Sequence, residues 1–175
     1  TGAACVVGDT GPGGGIVFYV QATGTFACGA TLASTCKYLE AAPTTGANSW
    51  TDAGYVWSGN TSVEIGSTLQ AIGAGYANTE AIVTQSGGGT TVNKAGTIAR
   101  AYRGPNSLSD WYLPSKDELN ELFLVNVTVG GFSTGAYWSS SEFDDLGAWF
   151  QYFYSGNQND FLKGFTRDVR PVRAF

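Results

Sequence analysis

Two blocks in the last third of the chain restrict the folds open to it. In Asp110-Trp111-Tyr112-Leu113-Pro114-Ser115-Lys116-Asp117-Glu118-Leu119, an extended aromatic entry runs into a helix start. Ser115 followed three residues later by Glu118 is a reciprocal cap, in which each side chain satisfies a backbone N–H at the helix N-terminus. Asp117 and Glu118 also place negative charge in the first turn, where the helix dipole favours it. Leu119, Leu122 and Phe123 form the apolar stripe that such a helix buries. The second block is Tyr137-Trp138-Ser139-Ser140-Ser141-Glu142 together with the closing Val169-Arg170-Pro171-Val172-Arg173-Ala174-Phe175, both strand-like. Neither block holds the acid, base and nucleophile combination of a catalytic site, so together they read as a scaffold that displays a binding surface.

At 175 residues the chain can bury one good core and is short for two. Its 25 glycines, 14% aromatic content and only 13% charge suit β structure with long loops better than a helical bundle. Nine basic against fourteen acidic side chains leave a net charge of −5. That balance disfavours nonspecific contact with nucleic acid or an anionic membrane. There is no secretory leader in the sequence and no run of about 18 apolar residues, so direct membrane insertion is not expected. The expectation is a mature soluble chain or a piece of a longer one.

Three cysteines and no histidine narrow the chemistry further. Cys28 and Cys36 bracket a short segment rich in Gly, Ala, Ser and Thr, and a disulfide closing that excursion is the economical reading. Two buried thiols in a reducing compartment are the alternative. Three scattered thiols without histidine lack a zinc spacing, so no metal is assigned. Cys5 is left to stay free or to pair outside the domain.

Along the chain, Val6 to Gly15 is a glycine loop running into the strand Ile16-Val17-Phe18-Tyr19-Val20. A phosphate cradle would need a Lys-Ser/Thr ending and a helix N-terminus, and this loop has neither. Tyr38 to Pro43 reads as a second strand, ended by the proline, and Gly46 to Gly59 as a loop anchored by Trp50, Tyr55 and Trp57. Ile65, Leu69, Ile72, Tyr76, Ala81 and Ile82 recur at near-helical spacing, with Gly73 and Gly75 dividing the segment into two short pieces. Asp117, Glu118 and Glu121 could be taken for paired catalytic carboxylates, but capping and a solvated helix face explain them more simply. Tyr137 to Ser141, Ala148 to Tyr154, Phe161 to Arg167 and Val169 to Phe175 read as strands, with Ser155 to Asp160 as a turn. Hairpins closing on the C-terminus after central helices give an α+β domain with antiparallel β-sheets, two short helical regions and long loops.

The glycine opening before Ile16 to Tyr19, Leu39-Glu40-Ala41-Ala42-Pro43, Ala77-Asn78-Thr79-Glu80-Ala81-Ile82, Trp111 to Leu119, Tyr137 to Glu142 and Val169 to Phe175 resemble the family of the Legionella collagen-like adhesin C-terminal domain. That family is similar to the Fibrobacter succinogenes major paralogous domain and, more remotely, to C-type lectin-like folds such as the formylglycine-generating enzyme. The resemblance runs nearly end to end. It implies a single lectin-like domain over residues 1–175, a C-type lectin-like fold, and an extracellular or cell-surface displayed bacterial module at the C-terminal part of a longer surface protein, sometimes trimeric. In the named adhesin the implied ligands are sulfated glycosaminoglycans; the acidity of this chain and its nine cations do not carry that ligand over. The calcium-lectin tripeptides Glu-Pro-Asn and Gln-Pro-Asp are absent, as is Trp-Asn-Asp. Formylglycine-generating relatives use paired cysteines late in the chain, whereas all three cysteines here precede Lys37.

Strand alternation places Trp149, Gln151 and Phe153 on one face and Phe150, Tyr152 and Tyr154 on the other. In the resembling family the Trp149 and Phe153 positions stay aromatic or apolar and the alternates vary, which points Phe150, Tyr152 and Tyr154 outward beside the turn Asn157, Gln158, Asn159 and Asp160. Rings give flat apolar area, and amides and carboxylates give donors and acceptors, which suits a sugar or a protein epitope. Burial of both faces is the competing description. Arg167, Arg170 and Arg173, with Lys163, form the basic cluster; Arg167 is assigned to the ligand, while Arg170 and Arg173 are expected to pair with acids such as Glu142 or Asp168. Glu142, Asp144 and Asp145 could hold calcium with loop carbonyls, though an exposed acidic loop suffices and no cofactor is assigned. The expected function is non-catalytic binding or adhesion to glycans or surface proteins; the alternative is a structural subunit or stalk cap whose aromatic face is an oligomer interface.

Overall fold

The computed structural model describes residues 4–88 and 93–175. Its architecture is mixed α+β: three sheets, paired antiparallel apart from one register position, and, among the described residues, four helices. Strands β1 (Ile16–Val20), β4 (Tyr38–Ala41) and β10 (Val172–Ala174) form a three-stranded sheet in the order β1-β4-β10. The segment between β1 and β4 folds into a small hairpin of β2 (Phe26–Cys28) and β3 (Ser34–Cys36). A five-stranded sheet in the order β5-β9-β6-β7-β8 is built from β5 (Gly54–Val56), β6 (Ala136–Glu142), β7 (Gly147–Tyr152), β8 (Gln158–Leu162) and β9 (Thr166–Asp168). Helices α1 (Gly75–Gln85), α2 (Ala95–Ala101), α3 (Lys116–Leu124) and α4 (Asn126–Val129) complete the elements.

The last residue closes on the start of β4. Both Lys37 N and Tyr38 N donate to the Phe175 carbonyl, Phe175 N donates back to Tyr38, and the two rings stack at 5.2 Å. Because β4 lies between an early and a late strand, this sheet cannot close before the whole chain is present. One apolar cluster gathers Trp50, Trp57, Trp111, Trp138 and Phe150; a second gathers Phe18, Leu39, Tyr112, Leu122, Tyr137 and Phe153. The buried indoles of Trp50, Trp57 and Trp138 donate to the carbonyls of Val169, Ser139 and Tyr55, at 2.7, 2.8 and 2.9 Å. Each ring therefore buries its area without leaving its N–H unsatisfied.

The glycine loop serves this core. Gly13 N and Gly15 N donate to the carboxylate of buried Glu40 on β4 at 2.8 and 2.9 Å. A Cβ at Gly13 or Gly15 would collide with Glu40, Trp111 or the Ala41 carbonyl. The loop is thus a cradle for an internal carboxylate, and glycine is what lets the backbone reach it.

The capping box at Ser115 forms as the sequence indicates: Glu118 N donates to Ser115 Oγ, and Ser115 N to Glu118 at 2.7 Å. Glu118 is not on a solvated face, however. It is fully buried, and also accepts from Gly73 N at 2.9 Å and from the Tyr112 hydroxyl. Burial pushes its carboxyl up to about 7, against the opposing pull of the Ser115 and Gly73 N–H groups. Asp117 is exposed and Glu121 half-buried on other faces of α3.

Several boundaries differ from expectation. The segment expected to hold two short helices contains one, α1, preceded by irregular chain. The reason is backbone satisfaction from elsewhere: Asn78 bonds both the N–H and the carbonyl of Leu69, and Glu142 accepts from Ile65 N and Gly66 N. Helices α2 and α4 and strand β5 lack strong local signals; β5 lies inside the stretch read as a loop. The strand expected over Phe161 to Arg167 is broken by a turn, with Phe165 N bonding Leu162 O, and the final strand shortens to β10.

Cys28 and Cys36 form a disulfide, with a Cα separation of 6.0 Å and a sequence separation of 8. Cys5 is free and half-buried. Closing so short a loop stabilises the chain by about 2 to 3 kcal/mol. We therefore expect Cys28→Ser with Cys36→Ser to lower the midpoint of thermal unfolding by roughly 5 to 10 °C without loss of the fold; an unchanged midpoint would show that the hairpin is held by other contacts.

Glu118 gives a second expectation. A carboxyl raised in the folded state binds more protons there than in the unfolded chain, so stability falls as pH rises from about 4.5 to about 7 and is flat above. A shift of this size corresponds to roughly 3 kcal/mol. Chemical denaturation between pH 4.5 and 8 should show that decline, and Glu118→Gln should remove it; a variant that keeps the same slope would place the titration elsewhere.

Candidate functional site

The five-stranded sheet turns two different faces outward from β7. Register places Trp138 of β6, Phe150 of β7 and Asn159 of β8 opposite one another, so these side chains share a face. Ala148 and Phe161 are opposite in the same way, as are Tyr55 and Arg167 on β5 and β9. The other face carries Trp149 opposite Asp160 and Gln151 opposite Gln158. That second face packs on α3: Gln151 Nε2 donates to Asn120, Gln158 Nε2 donates to the Lys116 carbonyl, and the Lys116 ammonium sits 3.6 Å from the Trp149 ring centre.

Alternation along β7 is therefore as expected, but exposure is not. Phe150 is buried, with 3% of its surface accessible, whereas Tyr152 is half-buried and Tyr154 is 65% exposed. Phe150 fails to reach solvent because this face carries its own cover. Trp138 and Phe161 meet its ring edge-on at 6.2 Å, Tyr152 at 4.9 Å, and the Arg167 guanidinium lies 4.9 Å above it. On the inward side Gln151 and Phe153 are buried, Phe153 leaving the strand to pack on Phe123, Phe132 and Tyr137.

The polar residues assigned to one turn also separate. β8 begins at Gln158, so the turn lies earlier, closed by Gly156 N to Tyr152 O and Tyr152 N to Asn157 O. Asn157 remains exposed in that turn, and Asn159 is exposed on the ring face. Gln158 and Asp160 point to the opposite face and leave the candidate set. Phe161 and Phe165, exposed by 37% and 51%, join it instead. Their membership was readable only with the hairpin register, since Phe161 shares a face with Asn159 by alternation once β8 is known to start at Gln158.

What results is a continuous path of rings, Tyr154, Tyr152, Phe150, Phe161 and Phe165, with successive centres 5.1, 4.9, 6.2 and 5.0 Å apart. Arg167 lies over it, its guanidinium carbon 4.4 Å from the Phe161 centre and 5.7 Å from that of Trp138. Its side-chain hydrogen bond goes from Nη1 to the adjacent Thr166 carbonyl at 3.0 Å, and its buried Nε has no acceptor.

The other members of the basic cluster are engaged within the protein. Lys163 is fully buried, with Nζ 2.6 Å from Glu142 and 2.8 Å from the Asp145 carbonyl. Arg170 forms a two-pronged pair with Asp52, both contacts at 2.6 Å. Arg173 bridges Asp110 at 2.6 Å and Glu40 at 2.8 Å. The partners of Arg170 and Arg173 are thus Asp52, Asp110 and Glu40. Glu142 is taken by Lys163, and Asp168 accepts from Ser133. Asp144 caps its own turn through Leu146 N and Gly147 N. Among the described residues no group of three or more acidic, cysteine or histidine side chains is arranged to hold a metal ion, and no helix is long and apolar enough to cross a membrane.

No family model matches the chain, and no curated protein matches it.

The two ends of the ring path should respond differently to truncation. Phe150→Ala empties a packed site and should cost about 3 to 5 kcal/mol. Tyr154→Ala, on the exposed side, should change stability by about 0.5 kcal/mol or less. Equilibrium urea unfolding of the two variants compares them directly; equal losses would mean that Tyr154 is part of the core.

Proposed function

We propose that this chain is a non-catalytic extracellular binding module that recognises glycans or surface proteins through the ring path of β7 and β8 with Arg167 upon it. The observation that carries this reading is the exposure of Tyr154, Phe161 and Phe165 in one connected aromatic surface beside a guanidinium that no acid among the described residues neutralises. Flat apolar area flanked by hydroxyl, amide and guanidinium groups fits the C–H face and hydroxyl rim of a sugar, or an aromatic-rich epitope. Exposed connected apolar surface is otherwise a liability for a soluble chain, which supports a partner for it.

The Cys28–Cys36 disulfide supports an oxidising, extracellular or cell-surface setting. The resemblance to the collagen-like adhesin C-terminal domains supports the same setting and a C-type lectin-like arrangement of the α+β elements. The non-catalytic reading draws on the absence of histidine and on Glu118, the carboxyl best tuned for proton transfer, being enclosed by Gly73, Ser115 and Tyr112.

A glycan array and a pulldown from surface-protein extracts test the reading, with the Tyr152→Ala, Tyr154→Ala double variant as control. The wild type should retain ligands and the folded double variant should lose at least tenfold in affinity. Blank results in both screens would sink the proposal. A trimer by light scattering with these tyrosines protected would reassign the face to contact between subunits.

A further inference from the structure

We propose that the Arg167 face selects a sugar carrying a single carboxylate, such as a hexuronate or sialate end group, in preference to neutral sugars and to polysulfated chains; this rests on the ring path being the ligand site. Arg167 is held by rings on one side and by the Thr166 carbonyl at Nη1, which leaves Nη2 and the remaining Nη1 hydrogen without an acceptor among the described residues. A guanidinium whose flat face is already covered by rings offers its N–H edge, and that edge matches the two oxygens of a carboxylate. Exposed Asn159 and the Tyr152 and Tyr154 hydroxyls border the same surface and are placed to meet sugar hydroxyls.

The charge count argues for one anionic group. Lys163, Arg170 and Arg173 are each bound to acids inside the protein, so a second sulfate or carboxylate would find none of them free. Exposed Asp144, Asp145 and Asp160 lie around β7 and β8, and the net charge of −5 repels an extended polyanion. A ligand with one carboxylate gains the Arg167 contact while keeping its remaining surface neutral against the rings. A neutral sugar stacks equally well but leaves the guanidinium without an acceptor.

The test is a titration of the isotopically labelled wild-type chain with methyl β-D-glucuronide, N-acetylneuraminic acid, methyl β-D-glucoside and a polysulfated oligosaccharide, followed by NMR. The Arg167 Nε–H signal reports on this site alone. Expected is saturable binding of one of the two carboxylated sugars at least tenfold tighter than the glucoside, about 1.4 kcal/mol, with movement of that signal. Arg167→Gln, shown folded by its near-ultraviolet circular dichroism, should bring the acidic and neutral sugars to parity, and Arg167→Lys should recover only part of the preference because it lacks the planar fork. Equal binding of glucoside and glucuronide, or tightest binding by the polysulfated chain, would overturn the single-carboxylate inference while leaving a glycan-binding face in place. Binding of a carboxylated sugar without movement of the Arg167 signal would overturn it as well. If no sugar binds and the array and pulldown are blank, the site reading and this inference fall together.

Discussion

The Glu40 carboxylate holds together parts of the chain that no local preference could join. It is fully buried on the middle strand of the three-stranded sheet, where an unpaired charge would cost several kcal/mol. Two backbone N–H groups of the glycine loop and the guanidinium of Arg173 on β10 neutralise it. The beginning and the end of the described chain therefore meet at one carboxylate, with β4 between them. Arg173 also reaches Asp110, at the entry to the capped helix segment.

Two further ion pairs repeat the arrangement at other loops. Arg170 grips Asp52 and the carbonyls of Gly130 and Gly131, while its face rests 4.0 Å from the Phe132 centre. Lys163 joins Glu142 beneath the loop at Val63, and that same Glu142 accepts from Ile65 N and Gly66 N. In each case an irregular segment is ordered because its backbone groups find a charged partner instead of a ladder. Removing one partner of such a pair would strand a buried charge, at a cost of about 3 to 5 kcal/mol. In a chain with 25 glycines and long loops, these charges supply hydrogen-bond partners that regular ladders do not.

These features divide what the sequence discloses from what it conceals. The Ser115 cap, β1, β4, β6 and the Cys28–Cys36 disulfide were legible because their signals are local: a cap spans three residues, a strand alternates over five or six, and the disulfide closes a short excursion. The partners of the arginines were not, because Arg170 finds Asp52 across 118 positions and Arg173 finds Glu40 across 133. Asp168 and Glu142 were nearer in sequence but lie in the five-stranded sheet, where Ser133 and Lys163 engage them. The same limit applies to Phe150. Alternation gave its face correctly, yet its burial depends on Arg167 and Phe161 arriving from β9 and β8. Conversely, Gln158 and Asp160 were assigned to a turn, and once β8 is seen to start at Gln158 the alternation rule itself removes them from the ring face.

Arg167 owes its availability to this distribution of charge. The scaffold uses Lys163, Arg170 and Arg173 to satisfy buried acids. Arg167 instead sits where its strand neighbours are rings, and a cation over aromatic faces is held by about 0.5 to 2 kcal/mol without losing its hydrogen-bonding edge. An acid in its place across the strand would have made it another internal staple. Tyr55, not an acid, stands opposite it on β5, and the guanidinium is oriented by the rings of Trp138, Phe150 and Phe161. The entropy of ordering the side chain is thus met by the fold, while its charge is left without an acid partner among the described residues. The rings that hold Arg167 in place are continuous with the exposed rings of Phe165 and Tyr154, so one aromatic path both orients the guanidinium and reaches solvent.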